Sequence, residues 1–356
     1  MKLKILLLII IAYGTIQAQT PYKEYYDDGT VKMEGTEKEG LLTGEVKYYY
    51  PSGNLEFIDY YYKGKRFGIG KEYYESGQLS ALVNYKDDVY HGLLKTYYED
   101  GKLKSTVNFN SGKKVGEYKS YHNNGNLKSK VNYNENGEAH GEYVSYHPNK
   151  ELLVKCIYLN GEIDGELISY FSNGKTAKIS NYSKGIKNGV LKEYYINGNL
   201  KINSVYKDDN LEKDYLHYYR TGELWVKAEM SYGYIENKNV YFKNGNLKSE
   251  QVHVSRDFNY KQYHENGKLY SIGKKRWPQD TKRGEWLYYH TNGEIYKTEL
   301  YSDFGSLREV INCFDGEGKP LDKGSFINGS GTLNEYDVQG KLIKTKVYKD
   351  GVIVKK

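Results

Sequence analysis

Glycine recurs every 24 residues through the first third of the chain, at Gly29, Gly53, Gly77, Gly101 and Gly125. Each lies two residues before an aliphatic side chain and three after an aromatic one. A fixed period of that length means stacked copies of one supersecondary unit, because a single copy cannot bury its own apolar face. The motif is plain in Tyr97-Tyr98-Glu99-Asp100-Gly101-Lys102-Leu103 and again in Tyr194-Tyr195-Ile196-Asn197-Gly198-Asn199-Leu200. The anchor continues through Gly174, Gly198, Gly222, Gly245, Gly267, Gly293, Gly318 and Gly340, with Lys150 replacing glycine once, which gives about fourteen units. Residues 20–356 therefore read as a single repeat domain, since each unit of such an array contacts mainly its neighbours.

Asn-Gly or Asp-Gly between alternating apolar residues specifies a β-hairpin, and the expected turn is type I′, with φ > 0 at both central positions. Gly53, Gly77, Gly101, Gly125, Gly174 and Gly198 are the structural turn residues on this reading. After the anchor, Leu79, Ala81, Val83 and Tyr85 alternate with other residues in one unit, as Leu103, Ser105, Val107 and Phe109 do in the next. Period-two alternation marks one buried or half-buried face. A two-residue loop places Tyr98 opposite Leu103, Leu94 opposite Val107 and Gly92 opposite Phe109, the ring lying over a glycine that leaves it room. The alternative, a three-residue type I loop with a glycine bulge, slips the register by one and turns Lys71, Lys95 and Lys119 inward.

A second glycine follows the anchor by 15 residues, at Gly44, Gly68, Gly92 and Gly116, and closes a longer connection such as Tyr62 to Gly68. The expected fold class is all-β: an elongated array of antiparallel hairpins forming a twisted single-layer meander. Lys213 stands where the second glycine is due, and both glycine columns thin from Trp225 to Lys261, where a bend is expected. Tyrosine supplies 42 of the 356 residues. Large amphipathic rings suit polar sheet surfaces with little aliphatic mass between them.

Met1 to Gln19 has the pattern of a secretory signal: Lys2 and Lys4, an apolar run from Leu6 to Ile11, and the small Ala18 at a cleavage position, so that cleavage follows Ala18 or Gln19. The expected destination is the periplasm or the cell exterior. No later stretch reaches the ~20 apolar residues that a spanning helix needs, so the mature chain is expected to be soluble and without a transmembrane segment. Removing Lys2 and Lys4 leaves 50 Lys and Arg against 46 Asp and Glu, a net charge of +4. That interspersed excess, like the compartment, argues against nucleic acid as a partner. Cys156 and Cys313 lie more than six units apart and are not expected to pair; Cys156 falls in the column of Val83, Val107 and Val131 and reads as a small buried hydrophobe.

The Tyr-Tyr-x-Asn-Gly-x-Leu hairpin, followed by a Tyr-x-x-Gly-x-x-x-Gly connection, resembles the bacterial variant of the MORN (membrane occupation and recognition nexus) repeat over nearly all of residues 20–356. The resemblance implies an elongated hairpin array used for protein–protein or membrane-surface contact, without catalytic residues. Some bacterial members carry an antitoxin-like label, which sits poorly with an exported chain.

His122, His147, His264 and His290 occupy the aromatic column three before the anchor and read as substitutes for tyrosine, not as metal ligands. Same-column residues in adjacent hairpins lie ~10 Å apart, far beyond the ~2 Å of metal–nitrogen bonds. No nucleophile elbow, zinc motif or phosphate loop is present, so no catalytic residue, metal or cofactor is expected. Two candidate contact surfaces remain. One is Lys274, Lys275, Arg276 and Trp277, a basic cluster around an indole in a lengthened connection from Gly273 to Arg283, which suits an anionic polymer, lipid head groups or an acidic patch. The other is the column four before the anchor, Tyr97, Tyr121, Tyr146, Tyr170 and Tyr194, with Lys104, Lys128 and Lys201 expected opposite its rings. Self-packing of those rings is the alternative to ligand binding. The function expected is an exported non-enzymatic scaffold or binding surface for a protein or cell-envelope component. The alternatives are an antitoxin or immunity component, and a binder of glycan or envelope polymer.

Overall fold

A computed structural model describes residues 18–354; the signal expected at Met1 to Gln19 lies outside the described residues except for Ala18 and Gln19. The chain divides into two compact units, Met1–Glu162 and Ile163–Lys356. Both are built from antiparallel strands that pair in chain order, so the chain is an all-β array of hairpin repeats. In the first unit the meander runs from Thr20–Tyr25 to Leu152–Leu159, and in the second from Gly165–Tyr170 to Leu307–Cys313. A separate three-stranded sheet, Gly331–Tyr336, Leu342–Lys349 and Val352–Ile353, follows, and Val310, Phe326 and Leu333 form a buried apolar cluster with Leu307 and Tyr348.

The two kinds of turn are exchanged relative to expectation. At the anchor, Gly101 N–H donates to Tyr98 O at 2.9 Å and Tyr98 N–H to Lys102 O at 2.8 Å. The loop is therefore three residues long, a type I turn closed by Gly101 in the left-handed region at φ 82°. The side chain before the glycine explains the choice: Asp100 Oδ1 accepts the Lys102 N–H, as Asn124 does from Asn126 and Asn197 from Asn199. This Asx bond holds the turn without φ > 0 at the Asx residue itself. Type I′ turns occur at the other edge, where Lys63 (φ 50°) and Gly64 (φ 76°) join Tyr62 to Lys65, and where Ser111 and Gly112 join Asn110 to Lys113.

A bulge reconciles the two registers. Leu103 pairs with Tyr97, as a three-residue loop requires, but Ser105 already pairs with Thr96, Val107 with Leu94 and Phe109 with Gly92. One extra residue beside the turn thus restores the mid-strand pairing that a two-residue loop would give, and only the pairs next to the turn, Tyr98 with Leu103 and Tyr97 with Lys104, are lost. The second-column glycines serve backbone geometry and not ring clearance. Gly92 has φ 94°, and a Cβ there would meet Asn84, not Phe109. Lys150 and Lys213, which replace glycine in the two columns, keep its geometry at φ 75° and 58°. The strands between Trp225 and Lys261 stay paired in chain order, and no register shift interrupts the pairing of Leu247–Val254 with Asp257–Tyr263.

A buried row runs along the column six after the anchor: Asp59, Val83, Val107, Val131 and Cys156 in the first unit, Ser180, Ser204, Ala228 and Glu299 in the second. Their partners across the hairpin compensate in size, with Val83 opposite Gly70, Val107 opposite Leu94 and Ser204 opposite Leu191. The row also interlocks between hairpins: Trp286 is 1 % exposed, and a Cβ on Gly273, in the preceding hairpin, would lie 2.4 Å from its ring. Both cysteines are free and buried.

Candidate interaction surfaces

The aromatic column three before the anchor stitches repeat to repeat. Tyr26 donates its hydroxyl to Tyr49 O at 2.6 Å, Tyr50 to Tyr73 O at 2.8 Å, Tyr74 to Tyr97 O at 2.7 Å and Tyr98 to Tyr121 O at 2.6 Å. In the second unit Tyr195 and Tyr219 do the same to Tyr218 O and Tyr241 O. Histidine takes the role where tyrosine is absent, with Nε2 of His122 on Tyr146 O at 2.9 Å and of His264 on Tyr289 O at 3.1 Å. The histidines thus spend their ring nitrogens on backbone carbonyls.

The anchor edge carries a second set of repeat-to-repeat bonds. Asn54 Nδ2 donates to Glu75 O at 3.0 Å, and both Asn124 and Asn126 donate to Pro148 O; in the second unit Asn197 and Asn199 converge on Arg220 O. Polar turn residues on this edge therefore satisfy neighbouring backbone and leave few free donors.

Tyr97, Tyr121, Tyr146 and Tyr194 stand opposite Leu103, Leu127, Leu152 and Leu200, with Tyr170 opposite Thr176, and all five are half-buried. Tyr49 and Tyr263, in the same column, donate to Glu34 at 2.6 Å and Glu250 at 3.0 Å in the preceding repeat. The ammonium partners differ from expectation: Lys104 Nζ lies over Tyr98 at 5.7 Å, and Lys248 Nζ over Phe242 at 5.4 Å. The cations sit on the stitching column because the bulge beside the turn shifts the residue three after the anchor out of register with the Tyr97 column.

The basic cluster is a hairpin extension and not a projecting loop. Lys274, Lys275 and Arg276 belong to the strand Leu269–Arg276 and pair with Arg283, Lys282 and Thr281. Much of its charge is internally engaged. Lys275 Nζ lies 3.0 Å from Asp280 and 4.1 Å from the centre of the Tyr260 ring, and Arg283 holds Asp257 at 3.0 Å and Asp303 at 3.3 Å. Lys274 is exposed, and its backbone carbonyl accepts the Trp286 indole N–H. Trp277 is partly exposed and packs edge-on to Tyr234, with His253 6.0 Å away.

Sequence reasoning missed a third surface. In the first unit Tyr62, Phe67, Ile69, Val89 and Leu93 are between 38 % and 62 % exposed and come from two successive repeats near the type I′ edge. Asn84, paired with Ile69, donates its amide to Leu93 O and ties these repeats together. The signal was present in the alternation, since Ile69 and Leu93 hold apolar residues on the face where Glu117 and Glu142 stand in later repeats.

Two buried carboxylates differ in electrostatics. Asp59, in the first unit, has burial pushing its carboxyl above the ordinary value, which Arg66 at 3.8 Å only partly offsets. Glu299, in the second, would be raised by burial too, but Lys297 Nζ at 2.6 Å and the Tyr301 hydroxyl at 2.7 Å hold it below the usual range. Beside it Lys282 Nζ lies 4.7 Å from Trp286 and 5.0 Å from Tyr288 and Tyr301 ring centres, and burial lowers its affinity for the proton. Such a satisfied cluster is a packing element.

The MORN repeat variant model matches residues 42–63, 68–87, 90–111, 114–135, 139–160, 163–184, 258–274 and 282–303. No curated protein matches the chain. Among solved structures, the TcdB2-TccC3 crystal structure is 12 % identical over 93 % of this chain and 19 % of that one, with a TM-score of 0.17. The Photorhabdus luminescens Tc holotoxin pore is 12 % identical over 93 % of this chain and 18 % of that one, with a TM-score of 0.16. The chain thus spans less than a fifth of the length of these proteins, and superpositions that poor bear on neither fold nor function. Among the described residues no helix is long and apolar enough to cross a membrane.

Proposed function

The chain belongs to the MORN repeat variant family, and from that membership we propose an exported, non-enzymatic repeat scaffold whose apolar edge receives a protein of the cell envelope. The observation that carries the reading is the set of exposed apolar residues Tyr62, Phe67, Ile69, Val89 and Leu93. Contiguous exposed apolar side chains of this size mark contact surfaces more often than solvent-facing ones. Elsewhere the polar repeat residues are committed to stitching: the hydroxyls and ring nitrogens of one column and the amides of the anchor edge bond neighbouring backbone. Export rests on Lys2, Lys4, the apolar run from Leu6 to Ile11 and Ala18.

The test is chemical cross-linking in fractionated cells producing the full chain or its Ile69→Lys, Leu93→Lys double variant. The reading expects a mature chain starting near Gln19 or Thr20 in the exported fraction, cross-linked to a protein adduct that the double variant loses. An intact Met1 on a cytoplasmic chain, or the same adducts from both forms, would overturn it. Adducts with a toxin or with glycan alone would favour the neutralising or polymer-binding roles instead.

A further inference from the structure

In the second unit one stretch of the buried row is left unfilled. Across most hairpins that row pairs a bulky residue with a small one, as in Tyr143 with Cys156 or Leu191 with Ser204. Between Asn210–Tyr218 and Leu247–Val254 it instead reads Tyr215, Ala228, Lys238 and Gln251 in consecutive strands. Ala228 leaves space beside Tyr215, and Lys238 stands in the line that Tyr118, Tyr143 and Leu191 fill in other repeats. The result is a trough of about 370 Å³ walled chiefly by Leu211, Tyr215, Trp225, Met230, Ile235 and Val240. That volume lies at the small end of the about 300–1,000 Å³ spanned by ligand pockets.

One cation lines this apolar trough. Lys238 is half-buried, and among the described residues its side chain makes no ion pair, hydrogen bond or ring contact. Its sequence neighbours Asn237 and Asn239 lie on the other face, where Asn237 Nδ2 bonds Glu229, and the carboxylate of its own strand, Glu236, is engaged by His253 Nδ1 at 3.5 Å. The other titratable groups in the wall are Tyr215, whose hydroxyl burial holds above its ordinary value, and His217, whose imidazole is held below its own first by burial and then by Lys201, despite an opposing pull from Glu193. An ammonium kept partly from water without a counter-charge is unfavourable, and an anion delivered on an apolar body relieves it. The walls also offer rings: His217 and Trp225 are 4.8 Å apart at their centroids, and Tyr219 stacks on Trp225 at 5.7 Å.

We propose that this trough is a binding site for a small aromatic monocarboxylate, with its ring against Trp225 and Met230 and its carboxylate on the Lys238 ammonium. An apolar pocket with one convergent charged group fixes orientation in this way: the body supplies affinity and the single charge selects the acid. The site is independent of the apolar edge of the first unit, so either can exist without the other.

Calorimetric titration of the full chain with 4-phenylbutyrate and with 4-phenyl-1-butanol, which has the same body without the charge, tests the proposal. The acid is expected to bind saturably at one site, at least tenfold more tightly than the alcohol. Lys238→Met should remove that preference, and Lys238→Arg should retain it. Trp225 quenching by the acid should disappear in Trp225→Phe. Absence of saturable binding, equal affinity for acid and alcohol, or a preference that survives in folded Lys238→Met would each overturn the proposal. Should Lys238→Met fail to fold, the acid-to-alcohol ratio of the native chain together with the Trp225 signal decides.

Discussion

The Tyr98 hydroxyl donates to the main-chain carbonyl of Tyr121, 2.6 Å away and one repeat further on. The relation recurs along the same column from Tyr26, Tyr50 and Tyr74, and histidine reproduces it at His122. Beside strand pairing and the amide bonds of the anchor edge, these hydroxyls join the repeats at the point where each strand leaves the sheet. Removing the hydroxyl in Tyr98→Phe keeps the ring and should cost about 0.5–1.5 kcal/mol, the usual net worth of one such bond. Hydrogen exchange should place the loss around Tyr121. A variant as protected there as the native chain would show that the bond adds nothing. Phe171 and Phe242 occupy the column naturally, so the loss of one bond should be tolerated.

Lys150 holds the anchor turn at φ 75°, with Lys150 N–H on His147 O at 2.9 Å, as glycine does elsewhere. A side chain in the left-handed region costs about 1–2 kcal/mol, while glycine loses about 0.4–1 kcal/mol through the freedom of its unfolded chain. Lys150→Gly should therefore stabilise its repeat by about 0.5–1 kcal/mol. Denaturant titration showing a lower midpoint would mean that the lysine side chain supplies contacts worth more than the strain.

Gly273 and Trp286 should behave as a coupled pair. A methyl group at Gly273 would lie 2.4 Å from the Trp286 ring, which is itself almost fully enclosed. Gly273→Ala alone should destabilise by about 1–3 kcal/mol through overpacking. In a Trp286→Leu background the same change should cost much less, and a double-mutant cycle reads the difference. Additive effects would refute the close approach.

The two buried acids should respond to pH in opposite directions. Asp59 has a folded pKa raised by burial above the ~3.9 of the unfolded chain. Its contribution is fully present below that value and is lost as pH rises through the folded pKa. Glu299 has a folded pKa lowered by Lys297 and its hydroxyl partners, against burial, so its contribution is present above the unfolded value of ~4.3 and is lost as pH falls through the folded one. Relative to the native chain, Asp59→Asn should therefore gain stability between pH 3.5 and pH 7, whereas Glu299→Gln should lose it. Thermal melts across that range giving both variants the same slope would contradict the assignment.

Much of this architecture was legible because its signals are periodic. The anchor spacing gave the hairpins, Val107 and Cys156 announced the buried column, and His122 in a tyrosine column announced a shared role. Turn chemistry was not legible from glycine alone, because type I′ and type I with a glycine bulge both place glycine last. The difference lies in the residue before it: Asp100 stays right-handed and bonds Lys102, whereas Lys63 is left-handed, which lysine identity does not suggest. The bulge between Leu103 and Ser105 was hidden for a related reason, since an extra residue beside a turn leaves the alternation further along intact. Gly305 was missed because its turn, Ser302 to Ser306, comes 12 residues after Gly293 instead of 24. At the candidate surfaces, sequence identified the basic residues around Trp277 but not their engagement by Asp257, Asp280 and Asp303, which depends on pairing between strands.

The scaffold reading is tested most directly by site-specific photo-cross-linking in living cells, with a benzophenone side chain placed at Ile69 on the apolar edge or at exposed Glu99 on the anchor edge. The account expects a discrete protein adduct from position 69 in the exported fraction and none from position 99. An adduct from position 99 alone, or none from either position, would contradict it.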